Sequence, residues 1–271
     1  MPRRKRRPSE QLYLPNRIKL SRNAGDSFTP LDLTNLARWI DFTDTSSLTI
    51  TSGPDIDAVL DKSPNGRSYA QTTASKKPHT GATLNGLNGA NFDGADDSLT
   101  ESAGIGDLVG DKGTFFMVCR PSSISGNPYP FSVGRNLGNF WSAFQIADIS
   151  GNDRLRTSFR NGGSVTLISG STNLVMSTAY IFTVKSTGTA YSLRVNGNQE
   201  TLSGTPDDGS WIADLTAKDH SAIGCLKDNN ESNFFNGDIF EIIYIDDLDV
   251  PQATIDQVED YMSNRFAITL V

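Results

Sequence analysis

A chain of 271 residues with 37% hydrophobic and 20% charged residues has enough apolar material for one large core and too few charges for a long-helix or coiled-coil protein. Lysine and arginine total 24 against 31 aspartate and glutamate, and the resulting net charge of −7 argues against a broad nucleic-acid-binding face. No apolar run approaches the ~18 residues that span a bilayer, so no membrane partner is expected; two cysteines are too few for a disulfide framework.

Residues 1–33 read as a basic extended attachment arm. "MPRRKRRP" places Arg3, Arg4, Lys5, Arg6 and Arg7 within seven positions, leaving 19 basic against 31 acidic residues in the rest of the chain. No apolar stretch follows the cations, so the segment does not read as a signal peptide and Sec-type export is not expected. Leu12, Tyr13, Leu14, Ile18 and Leu20 supply anchors that a purely disordered tail would lack. Three uses of the cations compete: neutralising phosphates, acting as a nuclear-import signal, or docking on an acidic protein surface, a neighbouring copy included.

Residues 34–271 form the second unit. "LARWIDF" alternates weakly, and "GTFFMVCR" is apolar on both pleat faces, as a central strand should be. In "NFWSAFQIAD", Phe140, Phe144 and Ile146 share one face and Trp141, Ala143 and Gln145 the other. "TAYIFTVK" groups Tyr180, Phe182 and Val184. "AYSLRVNGNQETL" predicts a hairpin, with Asn196-Gly197 supplying the positive φ angles of a tight turn and Tyr191, Leu193 and Val195 on one face. "DIFEIIYID" is another nearly continuous apolar strand. Cys119 and Cys225 both lie in apolar runs and are expected as two buried free thiols.

The last element is helical, over 250–266. Asp249 is expected as its N-cap, with Gln252 at capping-box spacing and Pro251 in the first turn, where the missing N–H costs nothing. Ile255, Val258, Met262 and Phe266 form one apolar stripe. Many short strands separated by Gly/Asn turns, followed by one helix, predict an all-β, two-sheet antiparallel sandwich with an N-terminal arm and a C-terminal α-helix.

Five segments carry a resemblance. They are "LARWIDFTDTSSLTI", "VLDKSPNGRSYAQ", "LNGLNGANFDGADDSLT", "YSLRVNGN" and "FFNGDIFEIIYIDDLDVPQATIDQVEDYMSNRFAI". In this order, over about residues 34–269, they resemble the concanavalin A-like, laminin G-like jelly-roll domains of bacteriophage structural proteins and some bacterial surface proteins. The resemblance implies Trp39 and Phe92 in the core and Gly94 and Asp97 as turn-formers. It does not specify function, because this superfold hosts lectins, glycosidases and inert structural parts alike.

Candidate chemistry is sparse. The glycosidases of this superfamily set two carboxylates on one sheet face. Here Asp238 and Glu241 stand at odd spacing, which predicts opposite faces, with Glu241 as a strand-edge or capping carboxylate. His79 falls in a turn and His220 at a strand start. No nucleophile elbow, phosphate loop or zinc spacing is present. No cofactor is expected beyond calcium, for which the "KDNNESN" loop offers Asp228, Asn229, Asn230 and Glu231, and "DGADD" offers Asp93, Asp96 and Asp97. Such loops also form as plain polar turns. For stacking on sugar rings, Trp141 is the first candidate and Trp211, in a loop, the second.

Two functional expectations follow. The first, leaning on the phage-like resemblance, is a non-enzymatic virion structural protein of a tailed phage, a capsid decoration or tail/fibre component. Its arm would dock on a capsid or tail protein, while the sandwich at the particle surface stabilises neighbours, pairs with another copy or touches host-surface glycans. Nucleic acid is not expected as a partner except through the basic arm. The alternative is a free lectin-like carbohydrate-binding module, and a glycoside hydrolase ranks below both.

Overall fold

The computed structural model describes residues 28–101, 105–135 and 138–271. Arg3, Arg4, Lys5, Arg6 and Arg7 of the arm lie outside the described residues.

Among the described residues the regular elements are mostly strands. The first seven are β1 (Leu36–Asp41), β2 (Leu48–Thr49), β3 (Ala58–Leu60), β4 (Ser68–Ala70), β5 (His79–Leu84), β6 (Leu87–Asp93) and β7 (Leu99–Glu101). The long central strands follow: β8 (Gly113–Ser123), β9 (Phe131–Gly134), β10 (Phe140–Asp148), β11 (Asp153–Asn161) and β12 (Val165–Ser169). Next come β13 (Tyr180–Ser186), β14 (Tyr191–Val195), β15 (Asn198–Gln199) and β16 (His220–Ile223). A small hairpin of β17 (Leu226–Lys227) and β18 (Glu231–Ser232) precedes β19 (Asn236–Asp246) and the helix α1 (Gln252–Phe266). His79 thus opens a strand rather than sitting in a turn.

The strands form two antiparallel sheets. The first runs β15-β14-β13-β8-β19-β6-β5, and the second runs β12-β11-β10-β9-β16-β7-β4-β3-β2. Along one edge β19 pairs with β8; along the other it pairs with β6 over Asn236–Ile239 and with β1 over Glu241–Ile245. Between the sheets lie Phe115, Phe131, Phe144, Phe182, Ile242 and Tyr244, among others. Phe92 is there too, fully buried, while Gly94 takes φ +77° and the Asp97 carboxylate accepts the Asp93 N–H at 2.9 Å, as turn-formers do. Asn196 and Gly197 take φ of 48° and 79° in the β14–β15 turn, the left-handed values that such a hairpin requires.

The outer face of the first sheet is covered. Ile255, Val258, Met262 and Phe266 of α1 pack on Trp39, Phe116, Phe240 and Ile243, and Phe28 and Leu33 close the margin. Each helix side chain so buried contributes ~1.5–3 kcal/mol before entropy. Trp39 is therefore core, but beneath the helix rather than between the sheets.

The helix starts later than its sequence suggests. Pro251 is the N-cap, with no side-chain cap, and its carbonyl accepts the N–H groups of Thr254 and Ile255. The proline holds the residue before it extended, so Asp249 stands too far back to cap. It is exposed and pairs with Lys185 at 2.6 Å instead. Among the described residues no helix is long and apolar enough to cross a membrane.

Candidate ligand-binding face

With α1 packed on the first sheet, the outer face of the second sheet is the one the helix leaves uncovered. Strand alternation assigns its side chains. On β11, Leu155 and Phe159 point into the core, so Arg154, Arg156, Ser158 and Arg160 point out. On β10 the outward set is Trp141, Ala143 and Gln145, opposite Arg160, Ser158 and Arg156 respectively. On β12 it is Val165, Leu167 and Ser169.

Trp141 is the floor of this face. Its Nε1 donates to Ser158 Oγ at 2.9 Å, and the Arg160 guanidinium lies 5.1 Å from the ring centroid. Tyr129, Ala143 and Leu226 complete a small apolar cluster around it. The indole is 6% exposed, so it supports Arg160 and does not offer an open stacking face. Leu226 arrives on the β17–β18 hairpin, which lies across β9 and β16. Ser132 Oγ donates to the Cys225 carbonyl at 2.9 Å and accepts the Lys227 N–H at 3.3 Å, and His220 Nε2 donates to the Lys227 carbonyl. Gly134 makes the crossing feasible, because a Cβ there would lie 2.7 Å from the Lys227 carbonyl oxygen.

The face thus brings Trp141 together with the loop of Asp228, Asn229, Asn230 and Glu231. In that loop both carboxylates already have partners. Glu231 pairs with Lys76 at 3.1 Å and Lys227 at 3.3 Å, and these cations hold its carboxyl below the ordinary range against the opposing effect of burial. Asp228 accepts the Asn229 N–H at 2.8 Å, a local turn bond. One carboxylate oxygen each from Asp93, Asp96 and Asp97 lies within 4.8 Å of the others. Burial, with Asp93 and Asp96 nearby, pushes the Asp97 carboxyl up to about 6. The N–H groups of Ala95 and Asp96 on Asp93 account for this cluster as a turn.

Trp211 is not part of the face. It is 4% exposed and belongs to the interior, where its Nε1 donates to Tyr244 OH at 2.9 Å. With Phe115, Phe144 and Tyr244 it lines a cavity of about 20 Å³, room for about one water. The loop that carries it folds back between the sheets because the indole is too large an apolar surface to leave in water.

Asp238 and Glu241 also depart from expectation. A β-bulge between Ile239 and Glu241 shifts the register against β8, and both carboxylates end on the helix side. Asp238 pairs with Arg120 Nε at 2.7 Å. Glu241 is fully buried and far from any strand edge. Its Oε1 accepts from Trp39 Nε1 at 2.7 Å, Tyr261 OH at 2.9 Å and Arg265 Nη1 at 3.4 Å, while its Oε2 has no partner. Burial, reinforced by Asp41, pushes its carboxyl up to about 7 despite Arg265 and the two other donors. Asp238 is taken up by Arg120 and Asn91, and Glu241 is sealed beneath α1, so the two do not flank an open cleft as acid and nucleophile would.

The arginines of β11 were not singled out by sequence reasoning. The signal was present in "DRLRTSFRN", where alternation alone puts Arg154, Arg156 and Arg160 on one face. Arg156 donates to Ser169 Oγ at 3.0 Å and Gln145 Oε1 at 3.5 Å, Arg154 to the Gly170 carbonyl at 3.3 Å and Arg160 to the Gly163 carbonyl at 3.0 Å. All these acceptors are neutral. Burial without a carboxylate to offset it pulls the Arg156 guanidinium below its ordinary pKa. Arg265, beside Glu241 and Asp41, is raised although burial acts the other way.

Neither family models nor curated protein sequences give a match to this chain. Solved structures do. Domain 4 of the extracellular arabinanase AbnA from Geobacillus stearothermophilus, solved with arabinotriose, superposes with a TM-score of 0.53 at 13% identity, covering 82% of this chain and 98% of that one. The NanB sialidase from Streptococcus pneumoniae gives 0.51 at 17% identity, over 65% of this chain and 27% of that one. The carbohydrate-binding module CBM40 of the Ruminococcus gnavus IT-sialidase, bound to α2,3-sialyllactose, gives 0.48 at 16% identity, over 62% of this chain and 91% of that one. At these identities what is shared is the fold, and the chain is an antiparallel jelly-roll-like β-sandwich of the kind found in the arabinanase domain.

Proposed function

We propose that this chain is a non-catalytic glycan-binding β-sandwich module whose ligand lies on the outer face of the second sheet, along β11 and β12 and over the Trp141 floor. The observation that carries the reading is the make-up of that face. Exposed Val165 and half-buried Leu167 supply apolar contact for sugar C–H faces, next to a row of arginine donors held in place by Trp141, Gln145 and Ser169. The arabinanase domain of the same fold, solved with arabinotriose, supports it. Of the two sequence-based expectations the comparisons favour the lectin-like one. The virion placement rests on the phage-like resemblance and on the basic arm; the comparisons give no support to the first, and the cations of the second lie outside the described residues.

The test is a glycan array probed with the full-length chain, followed by titration of retained glycans against Trp141→Ala and Val165→Asp. Val165 is 37% exposed, so its substitution leaves the core intact; circular dichroism checks the fold of both variants. Either substitution should weaken binding at least tenfold. An array that retains no glycan overturns the reading, as does a retained glycan indifferent to both changes.

A further inference from the structure

Nine arginines fall in the described residues, and five of them (Arg38, Arg67, Arg120, Arg194 and Arg265) face carboxylates within 4.0 Å. Among the described residues Arg135, Arg154, Arg156 and Arg160 make no ion pair, and three of these four stand on one face of one strand. In a chain with seven more acidic than basic residues, carboxylates are the commoner charge, so the pattern is not a shortage of anions. Half-buried guanidinium groups held by neutral acceptors keep N–H donors and full charge for something else. Arg154 goes further, since its Nε is buried with no hydrogen-bond partner. The protein itself therefore leaves the Arg154 guanidinium incompletely satisfied.

We infer that the β11 arginines form an anion-binding ladder, and that the glycan taken by this face carries acid groups, carboxylate or sulfate, along its chain. The inference rests on the glycan-binding reading above and names the class of sugar. The planar guanidinium fork matches both acids bidentately. Arg154 and Arg156 stand ~7 Å apart and Arg156 and Arg160 ~14 Å apart along the strand. A chain with repeated acid groups therefore engages both ends of the ladder, whereas a sugar with one acid group engages only one end. Apolar Val165 and Leu167 alongside take the ring faces between the acids. The acidic remainder of the molecule repels long polyanions such as nucleic acid while leaving this short stripe available.

The experiment is isothermal titration of the full-length chain at low salt with three probes of equal length: a hexagalacturonate, a heparin-derived hexasaccharide and a neutral malto-hexaose. The acidic probes should bind at least tenfold tighter than the neutral one, and tighter than galacturonic acid itself. Affinity should fall as salt screens the charges. Arg156→Gln and Arg160→Gln should each lose about tenfold, and Arg156→Lys should restore part of the loss. The galacturonate and heparin arms tell carboxylate from sulfate. A neutral glycan that binds as well as the acidic ones, with the arginine variants unaffected, overturns the ladder and leaves the glycan reading standing. Silence from every glycan overturns both. Tighter binding of a single-stranded oligonucleotide of matched charge, lost in the same variants, overturns the sugar assignment.

Discussion

Replacing Glu241 by glutamine isolates the cost of a buried carboxylate under a helix. In the unfolded chain the group titrates near its ordinary value of 4.5; in the folded chain burial and Asp41 raise it to about 7. Below pH 4.5 the carboxyl is protonated in both states and has no effect on folding. Between 4.5 and 7 the unfolded chain gives up the proton that the folded chain keeps, so stability falls as pH rises. Above 7 the full penalty is present, about 3 kcal/mol at 1.36 kcal/mol per pH unit. Glutamine keeps an oxygen for Trp39, Tyr261 and Arg265 and cannot ionise, and Arg265 retains Asp41 at 2.9 Å. Urea unfolding, followed by tryptophan fluorescence and far-ultraviolet circular dichroism at half-unit steps from pH 4 to pH 8, gives both stabilities. Their difference cancels the titration of all other groups. Relative to the wild type, Glu241→Gln should gain about 3 kcal/mol between pH 4 and pH 8, most of it between 4.5 and 7. A difference flat across that range would refute the reasoning. A wild type that gains on the variant as pH rises would show that attraction to Arg265 outweighs the lost hydration.

Arg38 is fully buried and bonded to Glu101 at 3.1 Å and Asp107 at 2.6 Å. Arg38→Met leaves a buried carboxylate without its main partner and should cost about 3–5 kcal/mol, read as a lower urea midpoint at unchanged slope; an unchanged midpoint counts against it. Cys119 and Cys225 are both free and fully buried. Burial, with Glu231 adding to it, pushes the Cys225 thiol up to about 12, and burial raises Cys119 well above its ordinary value. A thiol reagent at pH 8 should therefore find no fast-reacting group in the native chain and two per chain in urea. One rapidly labelled native thiol would contradict this.

How far each side chain's environment could be read in advance depended on how local its cause is. Phe144 and Ile146 went to the core, and Trp141 to the opposite face, because alternation along one strand decides it. The Asn196-Gly197 turn was legible for the same reason, as was the stripe from Ile255 to Phe266. Asp238 and Glu241 were misread because a single extra residue in β19 cancels the alternation, and that bulge sits where β19 changes partner from β6 to β1. Trp211 was misread because its loop carries no periodicity. The β11 arginines were readable as a row but not as unpaired.

By itself the sequence determined the strand and turn pattern, the single C-terminal helix with its apolar stripe, the free thiols and the two-sheet sandwich. These follow from contacts between near neighbours in the chain and from the need to bury one face of each element. Only the tertiary structure decided which outer face of the sandwich the helix leaves open. α1 closes one sheet, the β17–β18 hairpin half-covers the other, and Trp141 becomes a floor while Trp211 becomes core. It also decided which charges are spoken for. Five described arginines meet carboxylates from strands and helices far along the chain, and the three on β11 meet none among the described residues. Ion pairing and coverage depend on which distant segments come together, which local spacing does not record.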